Sequence, residues 1–144
     1  MKKLIIPVLL FAMVACKKEV ETSTGASVAF SKEALIGKWN INKFEGLNLA
    51  NDSVTMQMNF NAGDATITFN SNGTYLTKTT FDESEGTFSV LKLNGKDVLV
   101  TIEPGDRPDS MEIKTFTKSS MVFDDKQFEQ RRGSDDYTKA YCTK

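Results

Sequence analysis

The sequence predicts an all-β domain: a small antiparallel up-and-down β-barrel of about eight strands, set behind a cleaved signal peptide and a flexible tether. Three observations carry this expectation. From Gly37 onward apolar and polar residues alternate with period two, as half-buried strands require. Turn-forming residues recur about every ten positions, which spaces the strands as a meander of hairpins. The chain has 144 residues, and its first 15 differ so much from the rest that one small domain is what remains.

At the start, Lys2 and Lys3 precede an uninterrupted apolar run, Leu4 to Ala15, that stops at Cys16. A helix needs about 20 residues to cross a bilayer, so this run is too short. A basic region, a short apolar region and a small residue before the cut make a secretory signal. With Met13-Val14-Ala15 leading into Cys16, residues 1–15 resemble a bacterial lipoprotein signal with its lipobox. That resemblance implies that the Cys16 thiol takes a diacylglycerol, that cleavage falls before it, and that the new amine is acylated. One acyl chain binds a membrane only marginally, whereas several on one cysteine anchor it durably. A plain cleaved signal, with Cys16 there by chance, is the alternative. Residues 16–31 are charged at first, then small and polar, without any period; they read as a tether of about 20 Å r.m.s. reach. Lys17-Lys18-Glu19 loosely resembles the sorting signal that some Gram-negative lipoproteins carry after the cysteine, which implies the outer membrane or cell surface.

The domain proper is expected over residues 32–144. Ser31 to Leu35 is the one helical piece expected, with Ser31 as its N-cap. A first strand opens at Gly37. Val54 to Phe60 and Ala65 to Phe69 then alternate without fault, and Tyr75, Thr77, Thr79 and Phe81 follow with a more polar alternation. Later strands are expected around Phe88 and Val90; Val98, Val100 and Ile102; Met111 and Ile113; and Met121 and Phe123. Tyr137 to Cys142 would close the series. Asn70-Ser71-Asn72-Gly73 and Asn94-Gly95 supply hairpin turns, and Pro104 to Asp109 and Lys118 to Ser120 supply further breaks. Phase slips at Leu91 to Leu93 and around Phe116 mark either bulges or a shifted register. With one apolar face per strand, the sheet can close on itself and remove its edges. A two-sheet sandwich is the other closure; short hairpin connections favour the barrel. A barrel of this size holds packed side chains or one small ligand.

Composition excludes several function classes. The chain carries 18 Lys and Arg against 19 Asp and Glu, and the part after the signal is mildly acidic. Beyond Lys17-Lys18 there is no basic block, so no nucleic acid is expected as a partner. Histidine is absent, which removes the commonest metal ligand and the usual near-neutral base. No nucleophile has a base beside it, and no phosphate-cradling glycine loop or calcium-loop spacing is present. The acidic pairs Glu83 with Glu85, Asp106 with Asp109, Asp124 with Asp125 and Asp135 with Asp136 fall mostly in expected turns. No catalysis, metal or cofactor is therefore expected. With Cys16 committed to lipid, Cys142 has no partner in the chain and reads as a small apolar residue of the last strand, an intermolecular disulfide being the sharper reading.

Leu35-Ile36-Gly37-Lys38-Trp39 resembles the Gly-x-Trp signature of the lipocalins, in which the glycine permits close packing and the tryptophan plugs the barrel's closed end. Thr68-Phe69-Asn70-Ser71-Asn72-Gly73-Thr74-Tyr75 and Glu85-Gly86-Thr87-Phe88-Ser89 resemble a pattern of bacterial lipocalin-like lipoproteins. Lys118 to Asp125 resembles that family's late hairpin, so the likeness runs from Leu35 to Tyr141. It implies a cation stacked on Trp39, for which Arg131 and Arg132 are the candidates, a solvated basic pair in a loop being the other reading. The family's mid-chain Thr-Asp-x-x-x-Tyr motif is absent, and the short chain implies a shallow cup. Methionines suit both gap filling and promiscuous apolar pockets; Met56, Met58, Met111 and Met121 are all expected inside. A small, mostly apolar ligand would sit among Met56, Met58, Tyr75, Phe88 and Val100, with the membrane as second partner through Cys16. The alternative is a filled barrel acting as a structural or interaction protein of the envelope. A cavity open at one end favours the first reading, and a solid core the second.

Overall fold

The computed structural model describes residues 28–144, so the signal, Cys16 and most of the tether lie outside the described residues. Ser31 caps the short helix α1 (Lys32–Leu35), its hydroxyl accepting from the Ala34 N–H at 3.2 Å. Nine strands follow: β1 (Gly37–Asn48), β2 (Val54–Asn59), β3 (Thr66–Phe69), β4 (Thr74–Lys78), β5 (Glu83–Leu93), β6 (Lys96–Ile102), β7 (Asp109–Phe116), β8 (Ser120–Asp124) and β9 (Asp136–Thr143). A second helix, α2 (Lys126–Arg132), connects β8 to β9. All pairings are antiparallel.

β1 organises the closure. Its 12 residues serve two partners along one edge, β3 against Gly37–Asn40 and β2 against Lys43–Leu47. Its other edge takes β9 from Asn40 to Asn48. The ring β1-β3-β4-β5-β6-β7-β8-β9 therefore closes on itself with eight strands, and β2 is a ninth outside it. The barrel expected from the sequence is the one observed. The slip expected around Phe116 is a bulge between Ile113 and Thr115.

The inward assignments of three residues, Met56, Met58 and Val100, need correction. Met56 and Met58 lie opposite Gly46 and Phe44, on the inner face of β1. They are nonetheless 51% and 39% exposed, because β2 stands beyond the ring and nothing packs over it. Val100 is on the outer face. The Asn94-Gly95 turn sets Phe88 opposite Thr101 and Val90 opposite Leu99, so Leu99 and Thr101 turn inward. Val100 pairs instead with Ser89 and Ser110 and is only half-buried. Leu91 to Leu93 carry no slip, since β5 and β6 pair evenly and Leu91 and Leu93 point out to solvent.

The core fills the end where β1 begins. Leu35, Trp39, Phe69, Leu99 and Met121 are almost fully buried there, each side chain worth about 1.5–3 kcal/mol of transfer from water. Trp39 is pinned at both ends. Its Nε1 donates to the Leu35 carbonyl at 2.7 Å, and its ring meets Phe116, which in turn packs edge-on against Phe30. Gly37 has φ 121°, a backbone conformation that L side chains rarely adopt, and so lets the chain turn from α1 into β1. The cation over Trp39 is Lys144, its Nζ 4.7 Å from the ring centroid. Arg131 and Arg132 are on α2 at the opposite end, so the place expected for an arginine is taken by the C-terminal lysine. Cys142 is buried in β9 between Ile41 of β1 and Met121 of β8, as a small apolar residue would be.

Candidate functional site

The other end of the barrel is open. A cavity of about 320 Å³ descends from the mouth, at the lower limit of typical small-molecule sites. Its apolar floor is formed by Ile41 and Phe44 of β1, Ile67 of β3, Met111 of β7 and Phe123 of β8. Tyr75 and Thr77 of β4 and Thr101 of β6 add hydroxyls to the wall. At the rim stand Glu103 of the β6–β7 loop and Asp109, the first residue of β7, with Glu129, Arg132 and Phe128 of α2.

Local sequence explains how these groups come to face one another. Gly86 lies opposite Tyr75, and a Cβ there would come within 2.2 Å of the Ile102 carbonyl oxygen and 2.9 Å of the Tyr75 ring. The bare glycine thus leaves room for the Tyr75 ring beside β5. The Tyr75 hydroxyl donates to Glu103 Oε1 at 3.4 Å. Burial, then the Glu103 charge, pushes Tyr75 up to about 12. Asp109 is also raised, by burial and by Glu103, Glu129 and Asp106, against the pull of Arg132 at 3.9 Å. Burial raises Asp125 too, although its Oδ1 accepts the Thr138 N–H at 2.6 Å. That bond ties the foot of α2 to β9 and holds the helix across part of the opening.

Of the five residues expected to line a ligand site, Tyr75 alone lines this cavity. Phe88 is packed lower down, 4.8 Å from Phe69 ring to ring and with Lys32 Nζ 5.5 Å from its centroid, so it belongs to the closed end. Met56 and Met58 flank the mouth from outside, and Val100 faces away from it. Met111, expected inside as a filler, is on the floor. Thr101, Glu103, Asp109 and the α2 residues were not expected. Among the described residues no group of His, Cys, Asp and Glu could hold a metal ion.

An eight-strand antiparallel ring, plugged by Trp39 at one end and cupped at the other, defines a lipocalin-type barrel. A family model described as a lipocalin-like domain matches residues 35–123, and the chain belongs to that family. No curated protein and no solved structure matches it.

Proposed function

We propose that this lipocalin-like protein is a lipoprotein held by acyl groups on Cys16 at the outer membrane or cell surface, and that its barrel takes one small, mostly apolar ligand. The observation that carries the binding half is the mouth cavity, an apolar floor with a few hydroxyls and an ionic rim. The anchor half is supported by the lipobox-like Met13-Val14-Ala15-Cys16. No helix among the described residues is long and apolar enough to cross a membrane. Binding is preferred to catalysis because the raised carboxyls are already engaged, Asp125 by the backbone of β9 and Asp109 by Arg132. A role in contacting an envelope partner is favoured by exposed apolar side chains, among them the outward-facing Leu91, Leu93 and Ile102, each more than 40% exposed.

Native mass spectrometry of the protein purified from its own host tests the ligand. A discrete non-covalent adduct is expected, and it should vanish in Met111→Trp, which fills the floor. A bare mass, or an adduct unmoved by Met111→Trp, would overturn the cavity as the site. For the anchor, metabolic labelling with palmitate should mark the parent and leave Cys16→Ser unlabelled.

A further inference from the structure

The two ends of the barrel carry opposite charge. At the closed end Lys32, Lys38, Lys118 and Lys144 surround α1, and none of them enters an ion pair among the described residues. Their proximity is fixed by the contacts of Lys144. The Lys144 N–H donates to the Ser119 carbonyl at 3.0 Å, next to Lys118, and its Nζ donates to the Ala34 carbonyl at 3.2 Å, on the helix that carries Lys32. Lys144 also lies against Gly37, the neighbour of Lys38. Glu33 is the acid on that helix. At the mouth the sign reverses: Glu103, Asp106, Asp109 and Glu129 outnumber Arg107 and Arg132.

The chain enters the barrel at the basic end, because Phe30 packs on Phe116 beside Trp39. We infer that this lysine-bearing closed end is a docking face for an anionic phospholipid bilayer, and that the mouth is thereby turned away from the membrane. The inference rests on the proposed lipid at Cys16, which supplies the nearness that so few charges could not. From Cys16 to Phe30 the chain spans at most about 50 Å when fully extended. A mouth-down arrangement would consume most of that length in running past the barrel, and would press an acidic rim against acidic headgroups. Each lysine near such a surface favours it about fivefold, so four lysines against Glu33 and the Lys144 carboxylate leave an excess of two, which favours the closed-end-down orientation about twenty-five-fold. The attraction decays within a Debye length of about 8 Å at physiological salt.

Trp39, the chain's single tryptophan, sits at the docking face and reports on it. The experiment uses the lipidated protein on vesicles of phosphatidylcholine with or without 30% phosphatidylglycerol, each containing a dansyl-labelled lipid, and reads energy transfer from Trp39. About twofold more transfer is expected on the anionic vesicles, falling to the neutral value in roughly 0.5 M salt. The double variant Lys38→Glu with Lys118→Glu, both exposed positions, should show the neutral value at low salt while keeping the parent's near-ultraviolet circular dichroism. Transfer that ignores lipid charge, or the double substitution, would overturn the orientation. Phe81, 89% exposed, lies in the turn between β4 and β5 at the mouth end, and loss of transfer in Phe81→Asp would place the mouth against the lipid and overturn the orientation too. A parent that does not float with either vesicle would instead refute the lipid anchor itself.

Discussion

Single residues decide how the mouth is built. Gly86 is there because any side chain would strike the Ile102 carbonyl and the Tyr75 ring. Gly86→Ala should therefore lower stability by about 1–3 kcal/mol in urea unfolding, a strain cost rather than a lost contact. Glu45 makes a different point. Its carboxylate accepts from Lys43 Nζ at 2.7 Å and from the Tyr141 hydroxyl at 2.6 Å, and these bonds hold it below the usual carboxylate range. A depressed value means that the native state favours the ion. The stabilisation is complete above the ordinary glutamate range and is lost as pH falls through the native value. Thermal unfolding followed from pH 7 to pH 3 should show a smaller decline in Tm for Glu45→Gln than for the parent, from a lower starting point. Trp39 and Gly37 were legible in the sequence through the resemblance of Gly37-Lys38-Trp39 to the lipocalin Gly-x-Trp signature. Val100 was not. Val98, Leu99 and Val100 are apolar in succession, so either phase fits, and the Asn94-Gly95 turn decides between them.

At the scale of elements, β2 shows what alternation does and does not establish. It identified a strand and its inner face, but burial depends on what lies across the ring, and β2 has nothing there. Met58→Lys should accordingly change stability by less than about 0.5 kcal/mol. Met121→Ala, in the packed half, should cost about 2–5 kcal/mol in the same assay. Helix α2 went unread for the converse reason. It buries no residue, so no apolar stripe marks Lys126–Arg132. The signs were at its ends, with Asp125 before it and Arg131-Arg132-Gly133 closing it. Because α2 supplies Phe128, Glu129 and Arg132 to the rim, missing it meant missing the lip of the site.

For the whole molecule, the closure was legible because every connection except β2 to β3 joins two strands that pair with each other, and hairpins in sequence leave a meander few ways to fold. The cavity was not, because its existence depends on volumes that alternation cannot measure. Closure by β9 has a consequence for chemistry as well. Cys142 is 2% exposed, and burial pushes its thiol up to about 12. Maleimide can reach that sulfur only when β9 parts from β1 and β8, that is, when the cylinder unzips along its final seam. A cysteine so placed is a built-in clock: the alkylation rate of Cys142, read on the peptide that carries it, times the breathing of the seam without any label having been engineered.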